Sequence, residues 1–249
     1  MVKTQQNTAA RIAIQPDFDW DGQDAYLFDI DGTLMRSRDR VHVDSVAWSV
    51  QRVMGFEITL AGVQLQGNTD TAILREACRQ AGIADEALET HYETILTTMR
   101  NCVAERRHEL DLYLMPGVEA VLRHLAAKGA LLGVASGNLE AIGWIKIEKA
   151  GLREWFHFGG FSDHLPIRAE LVEQAARKAH ELIGHKKRPA AKICVVGDTP
   201  RDIEAARANS LAVIAVATGR SSFEELLERG PDACVSSLAE LLAATKSAA

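Results

Sequence analysis

Short runs of consecutive apolar, largely β-branched residues punctuate this chain at positions 25–28, 131–135, 192–196 and 212–217, with a weaker run at 232–235. None alternates with polar positions, so they predict strands buried on both faces. Between them, apolar residues recur at helical spacing over 117–127, 139–150, 169–183, 200–208, 222–227 and 238–244. Strand and helix alternate, which predicts an α/β fold with a parallel sheet covered by helices.

One stretch breaks the alternation. From about residue 40 to 112 the pattern predicts helices over 43–53, 69–81 and 85–107 and no strand. This is expected to be a helical insertion after the first strand, and Met115-Pro116-Gly117 marks the return to the sheet, with Pro116 suited to opening a helix. The expected organisation is an N-terminal extension at 1–23, an α/β core from 24–39 and 113–249, and a helical cap from 40–112. An Ala-rich tail, expected to fray, ends the chain.

A length of 249 residues with 47% apolar content supports a substantial core, and a formal charge of -6 supplies no basic footprint for nucleic acid or an anionic membrane. The four cysteines, Cys78, Cys102, Cys194 and Cys234, form no C-x-x-C pair and are expected to be buried thiols. Residues 1–23 carry no apolar signal core, and no run of about 18 apolar residues occurs, so a cytoplasmic location is expected.

Candidate chemistry gathers at strand ends, where open parallel sheets bind ligands. The first strand delivers Asp29-Ile30-Asp31-Gly32-Thr33, the second Ser136-Gly137-Asn138, and a later one Gly197-Asp198-Thr199-Pro200-Arg201-Asp202. Asp29 and Asp31 share a strand face and would repel one another unless a cation, a phosphate or a proton transfer used them. Together the three clusters suit phosphoryl transfer assisted by a hard cation. Mg²⁺ takes oxygen ligands, here Asp29, Asp198 and Asp31 through its main-chain carbonyl, with Asp202 outside them. Asp29, anionic above its ordinary pKa of about 3.9, is the candidate nucleophile and would form an aspartyl-phosphate. Asp31 would give a proton to the leaving alkoxide and take one from water. Ser136 and the amides that follow it, including Gly137 and Asn138, can bind phosphoryl oxygens at a helix start, with Gly32 and Thr33 as further candidate substrate contacts.

The ordered set Phe28-Asp29-Ile30-Asp31-Gly32-Thr33-Leu34, then Ser136-Gly137-Asn138, then Gly197-Asp198-Thr199-Pro200-Arg201-Asp202 resembles the haloacid dehalogenase superfamily. Within it, the chain is most similar to the phosphoglycolate-phosphatase-like and β-phosphoglucomutase-like group. The resemblance implies a Rossmann-like core with a helical cap, Asp29 as nucleophile, Asp31 as acid/base, Ser136 as phosphate binder and Asp198 as metal ligand. It also implies a Lys or Arg that neutralises the phosphoryl group. Lys146 and Arg168 are equal candidates for that cation.

Blander readings stand beside these. Lys146 fits a solvated helix face, Arg168 a helix opening, and Ser136, Asn138, Asp198 and Asp202 fit helix caps. Asp17-Phe18-Asp19-Trp20-Asp21-Gly22 mimics an EF-hand opening, but Phe28 stands where the twelfth-position Glu belongs, so a solvated lead-in is expected. His42 and Gly67-Asn68-Thr69-Asp70 are candidates to face substrate from the cap.

The leading expectation is a Mg²⁺-dependent phosphatase for a small phosphorylated metabolite, phosphoglycolate-like or a sugar phosphate. A phosphomutase is the alternative among enzymes, and a phospho-Asp receiver-like signalling module the alternative of another class. Asp31 argues against dehalogenation, which has no alkoxide to protonate. The absence of Lys from 35–112 argues against a cap Schiff base of the phosphonate-cleaving kind.

Overall fold

In the computed structural model, residues 11–184 and 191–247 are described. The strands are β1 (Ile12–Ile14), β2 (Ala25–Phe28), β3 (Met35–Ser37), β4 (Leu112–Leu114), β5 (Leu131–Ala135), β6 (Gly159–Gly160), β7 (Ile193–Gly197), β8 (Ala212–Val216) and β9 (Ala233–Val235). Seven of them form one sheet in the order β1-β9-β8-β7-β2-β5-β6. All neighbours in it are parallel except β1, which pairs antiparallel with β9.

The continuous apolar runs are explained by helices on both faces. Tyr26 and Phe28 of β2 point into one apolar cluster, and Ala25 and Leu27 into another, as the two-residue period of a strand dictates. The first cluster is covered by α4 (Val118–Ala127), α5 (Glu140–Lys149) and α9 (Ala239–Ser247). The second is covered by α6 (Arg168–Ile183), α7 (Pro200–Ala208) and α8 (Phe223–Glu228). This is a Rossmann-like arrangement.

Between β3 and β4 the chain forms α1 (Val41–Met54), α2 (Asp70–Gln80), α3 (Asp85–Glu105) and a short 3₁₀ turn. Their apolar stripes meet in a third cluster that also takes Leu139 and Ile142 from the start of α5, so the helical layer is packed directly over the sheet's carboxyl edge. β3 and β4 pair antiparallel as a two-stranded ribbon at the base of this layer.

Several elements differ from the sequence expectation. β1, β3, β4 and β6 are each two or three residues long, too short to register as apolar runs. β1 lies inside the stretch expected to be an extension; residues 1–10 of that stretch lie outside the described residues. The lead-in before β2 is solvated only in part: Asp17 and Asp19 are exposed, but Trp20 and Asp21 are buried, Trp20 stacks on His124, and Asp21 Oδ2 accepts bonds from His124 Nε2 (2.6 Å) and Lys128 Nζ (2.8 Å). The tail expected to fray is helical through Ser247. All four cysteines are buried free thiols. Among the described residues no helix is long and apolar enough to cross a membrane.

Candidate active site

The three sequence clusters follow β5, β2 and β7, which are consecutive in the sheet, so the topology alone brings them together. Asp29 leaves β2 while its amide still bonds Val196 O of β7 (2.9 Å). Asp198 leaves β7, and Ser136 leaves β5 with its amide on Gly160 O (3.1 Å). Ligand oxygens of Asp29, Asp198 and Asp202, all buried, lie within 4.8 Å of one another.

One guanidinium balances part of this charge. Arg168, at the first turn of α6 and 8% exposed, reaches Asp29 Oδ2 (3.0 Å) and Asp202 Oδ1 (2.9 Å from Nε). Asp202 uses its other oxygen to close a capping box on α7, accepting from the Thr199 amide (3.0 Å) and hydroxyl (2.7 Å). Asp198 is less well served: Oδ1 accepts from Thr33 Oγ1 (3.1 Å), and Oδ2 is buried with no partner. Burial, with Asp29 and Asp202 nearby, pushes the Asp198 carboxyl well above its usual range. Burial likewise pushes Asp29 up, opposed by Arg168 and reinforced by Asp202 and Asp31.

Three carboxylates around one guanidinium with an orphan oxygen is the donor set a hard divalent cation requires, so the residues fit one. Asp29 and Asp198 would hold it directly. Asp202, both of whose oxygens are engaged, would act from outside. The Asp31 carboxylate stays apart from this group, so its expected share in a metal site is confined to its main chain.

Asp31 is instead held by the second candidate cation. Lys146, its side chain only 3% exposed on α5, donates to Asp31 Oδ1 (2.9 Å) and Oδ2 (2.7 Å) and to Asn138 Oδ1 (2.8 Å). Asn138 Nδ2 donates to Asp31 Oδ2 (2.8 Å) and Ser136 Oγ (2.8 Å). Desolvation pushes the Asp31 carboxyl up, but Lys146, with His42 and the Asn138 amide, outweighs it and holds the group below the usual carboxylate range. Both candidates, Lys146 and Arg168, are thus buried in the site, each on a different aspartate.

Two sequence expectations need correction. Gly32 and Thr33 do not line the cavity. Gly32, at φ +97°, turns the chain so tightly that a Cβ there would lie 2.4 Å from Asp198 Oδ2, and Thr33 is committed to Asp198. The amides at the start of α5 are not all free for phosphate either. Leu139 N donates to Asp70 Oδ2 (2.8 Å) and Glu140 N to Asp163 Oδ2 (2.6 Å), which leaves the Gly137 and Asn138 amides of this turn.

Asp70, at the first turn of α2, is thus a docking residue between the layers; its Oδ2 also meets His42 Nε2 (2.9 Å) and its amide bonds Gly137 O (2.7 Å). A side chain on Gly137 would put a Cβ 2.2 Å from Asn68 O, so only glycine admits this approach. The segment from Gln66 to Asp70 roofs a cavity of about 270 Å³ whose floor is Asp29, Asp31, Ser136, Lys146 and Arg168. Among the lining residues that sequence reasoning missed are Gln66 and Arg220. Arg220 follows β8, a strand end like the other three, and the same rule applied there would have found it.

Known proteins share this architecture. The chain is 26% identical over 226 residues to a phosphoglycolate phosphatase of Synechococcus elongatus, covering 88% of this chain and 96% of that one. It is 25% identical over 223 residues to a phosphoglycolate phosphatase of Pseudomonas savastanoi, covering 87% and 77%. A crystal structure from Haemophilus somnus, described as a predicted phosphoglycolate phosphatase, superposes with a TM-score of 0.61 at 20% identity over 90% of this chain and 98% of that one. Residues 23–209 match the haloacid dehalogenase-like hydrolases, and the chain belongs to that family of enzymes.

Proposed function

We propose that this enzyme is a Mg²⁺-dependent phosphatase that hydrolyses a small phosphate monoester, phosphoglycolate or a close analogue, through an aspartyl-phosphate on Asp29. The observation that carries the reading is the buried group of Asp29, Asp198 and Asp202 with the unpartnered Asp198 Oδ2, of which Asp29 lines a roofed cavity. The names of the relatives support the choice of substrate.

Asp29 and Asp198 would hold a divalent cation, which would supply neutralisation of the phosphoryl oxygens. Arg168, already on Asp29, adds a fixed positive charge beside the same group, and Ser136 with the Gly137 and Asn138 amides offers donors. An Asp29 oxygen attacks phosphorus and the ester P–O bond breaks; Asp31, whose carboxyl is held below the usual range in the free protein, must take up a proton from solvent as substrate binds, and passes it to the departing alkoxide. Water then attacks the phosphoaspartate, Asp31 takes a proton from it, and Asp29 is freed with phosphate released. Lys146 and Asn138 grip both Asp31 oxygens and hold the carboxylate over the cavity in the orientation both half-reactions need. The helical layer acts as a cap that limits substrate size and sheds bulk water.

A mutase reading finds less support, because the roof loop Gly67-Asn68-Thr69-Asp70 brings no basic residue. The test uses the full chain with Mg²⁺ and p-nitrophenyl phosphate. Many turnovers are expected, and Asp29→Asn lowers the rate by about 10⁴-fold or more. A single stoichiometric phosphorylation without turnover would overturn the proposal in favour of a signalling switch.

A further inference from the structure

The cavity is rich in cationic and ionisable side chains, and all but one are spoken for. Arg168 serves Asp29 and Asp202, Lys146 serves Asp31, His42 meets Asp70, and Arg40 Nε donates to Asp44 Oδ1 (3.0 Å). Arg220 lines the same cavity and, among the described residues, makes no hydrogen bond or ion pair. It is not placed there by a loose loop. Arg36 donates to the Thr218 and Gly219 carbonyls, and Thr218 Oγ1 donates to Gly32 O (2.6 Å), which ties the segment just before Arg220 to the Asp29–Gly32 turn.

A second observation points the same way. Gln66 Nε2, on the roof, is a buried donor with no partner, which costs free energy unless an incoming acceptor satisfies it. Gln66 and Arg220 both line the catalytic cavity and also an adjoining polar one of about 320 Å³, so they stand where the two meet. Asp29, Asp31, Arg168 and Ser136 line the same cavity as the expected phosphoryl site.

Resting on the phosphatase reading, we infer that Arg220, assisted by Gln66, is the specificity residue that binds an anionic oxygen group on the leaving-group end of the substrate. The substrate is then a doubly anionic ester: one end is the transferred phosphoryl group, and the other is a carboxylate or a second phosphate paired with the one unengaged guanidinium. A neutral leaving group would leave Arg220 solvated and Gln66 Nε2 unsatisfied.

The test compares kcat/KM for 2-phosphoglycolate, 2-hydroxyethyl phosphate and ethylene glycol bisphosphate in the wild-type protein, Arg220→Met and Gln66→Leu. The wild type is expected to prefer an anionic ester over the neutral one by about ten- to hundredfold, the worth of one charge-assisted contact. Whichever anionic ester is favoured identifies the group. Arg220→Met should erase that preference chiefly through KM, with the hydroxyethyl ester changed by less than about twofold, and Gln66→Leu should erase part of it. Equal losses on neutral and anionic esters, or a wild type that does not discriminate, would overturn this inference while leaving the phosphatase standing. If none of the three esters turns over while p-nitrophenyl phosphate does, this inference falls and phosphatase activity stands; if p-nitrophenyl phosphate is inert as well, both fall.

Discussion

Buried aspartates sit at both ends of the central strands, and the two ends treat them in opposite ways. At the amino end, Asp21 meets two donors, His124 and Lys128, beneath the stacked Trp20 ring. Burial raises its carboxyl, the two donors together lower it by more, and the net shift is downward. At the carboxyl end, Asp29, Asp198 and Asp202 share Arg168, one oxygen has no partner, and the net shifts of Asp29 and Asp198 are upward. One end is electrostatically satisfied, and the other carries uncompensated like charge. Folding stability would remove the second arrangement, so its persistence marks the place where the fold is shaped for a ligand.

That contrast breaks if the acidic group does not take a cation. Mg²⁺ at a hundredfold excess over its Kd is expected to stabilise the protein by about 2.7 kcal/mol, reversed by EDTA, and read as a rise in Tm. Asp198→Asn should abolish the rise. In EDTA the same variant should be more stable than wild type by about 1–2 kcal/mol, because it removes a buried, half-satisfied negative charge. The sign with pH follows from the raised carboxyl: its contribution is favourable while protonated and is lost on ionisation, so the gain from Asp198→Asn grows as pH rises above the ordinary carboxylate pKa of about 3.9. A destabilised variant in EDTA, with Mg²⁺ stabilisation intact, would sink the comparison.

The amino end should behave in mirror image. Asp21→Asn is expected to cost about 1–3 kcal/mol near neutral pH by leaving His124 and Lys128 without their carboxylate. A lowered carboxyl contributes above its unfolded pKa and loses that contribution on protonation, so the cost should shrink below about pH 4. Activity measured well below the melting temperature should not change. Urea melts of the two proteins at several pH values decide it, and a constant difference across pH would mean that packing rather than charge holds Asp21.

How much of this was legible in sequence follows from the same physics. Asp29, Ser136 and Asp198 could be placed because each follows a strand buried on both faces, whose apolar run is unmistakable, and parallel sheets gather such ends. β1 was not legible: as an antiparallel edge strand, partly exposed, it has no continuous apolar run. Asp21 looked like a solvated acid because its partners lie more than a hundred residues away, on α4 and at its C-terminal cap, a pairing no local pattern encodes. The separate roles of Lys146 and Arg168 were hidden for the same reason, since spacing shows a cation near the site but not which carboxylate it meets. The engagement of the α5 amides by Asp70 and Asp163 depends on how the helical layer docks on the sheet.

The smallest expected effect separates the two ends most finely, because it compares two lysines with nearly the same bond. Lys146 Nζ lies 2.7 Å from Asp31 Oδ2 and Lys128 Nζ 2.8 Å from Asp21 Oδ2, yet the Lys146 side chain is 3% exposed and that of Lys128 47%. Distance alone would rank them as equals. Exposure does not: a half-exposed ammonium is solvated with or without its partner, and salt screens the attraction. Lys128→Met is therefore expected to cost less than about 1 kcal/mol, most of it lost in molar salt, while His124 continues to hold Asp21. A cost equal to that of Asp21→Asn, insensitive to salt, would show that Lys128 is the principal partner and that the amino end depends on a single charge pair rather than a shared, satisfied network.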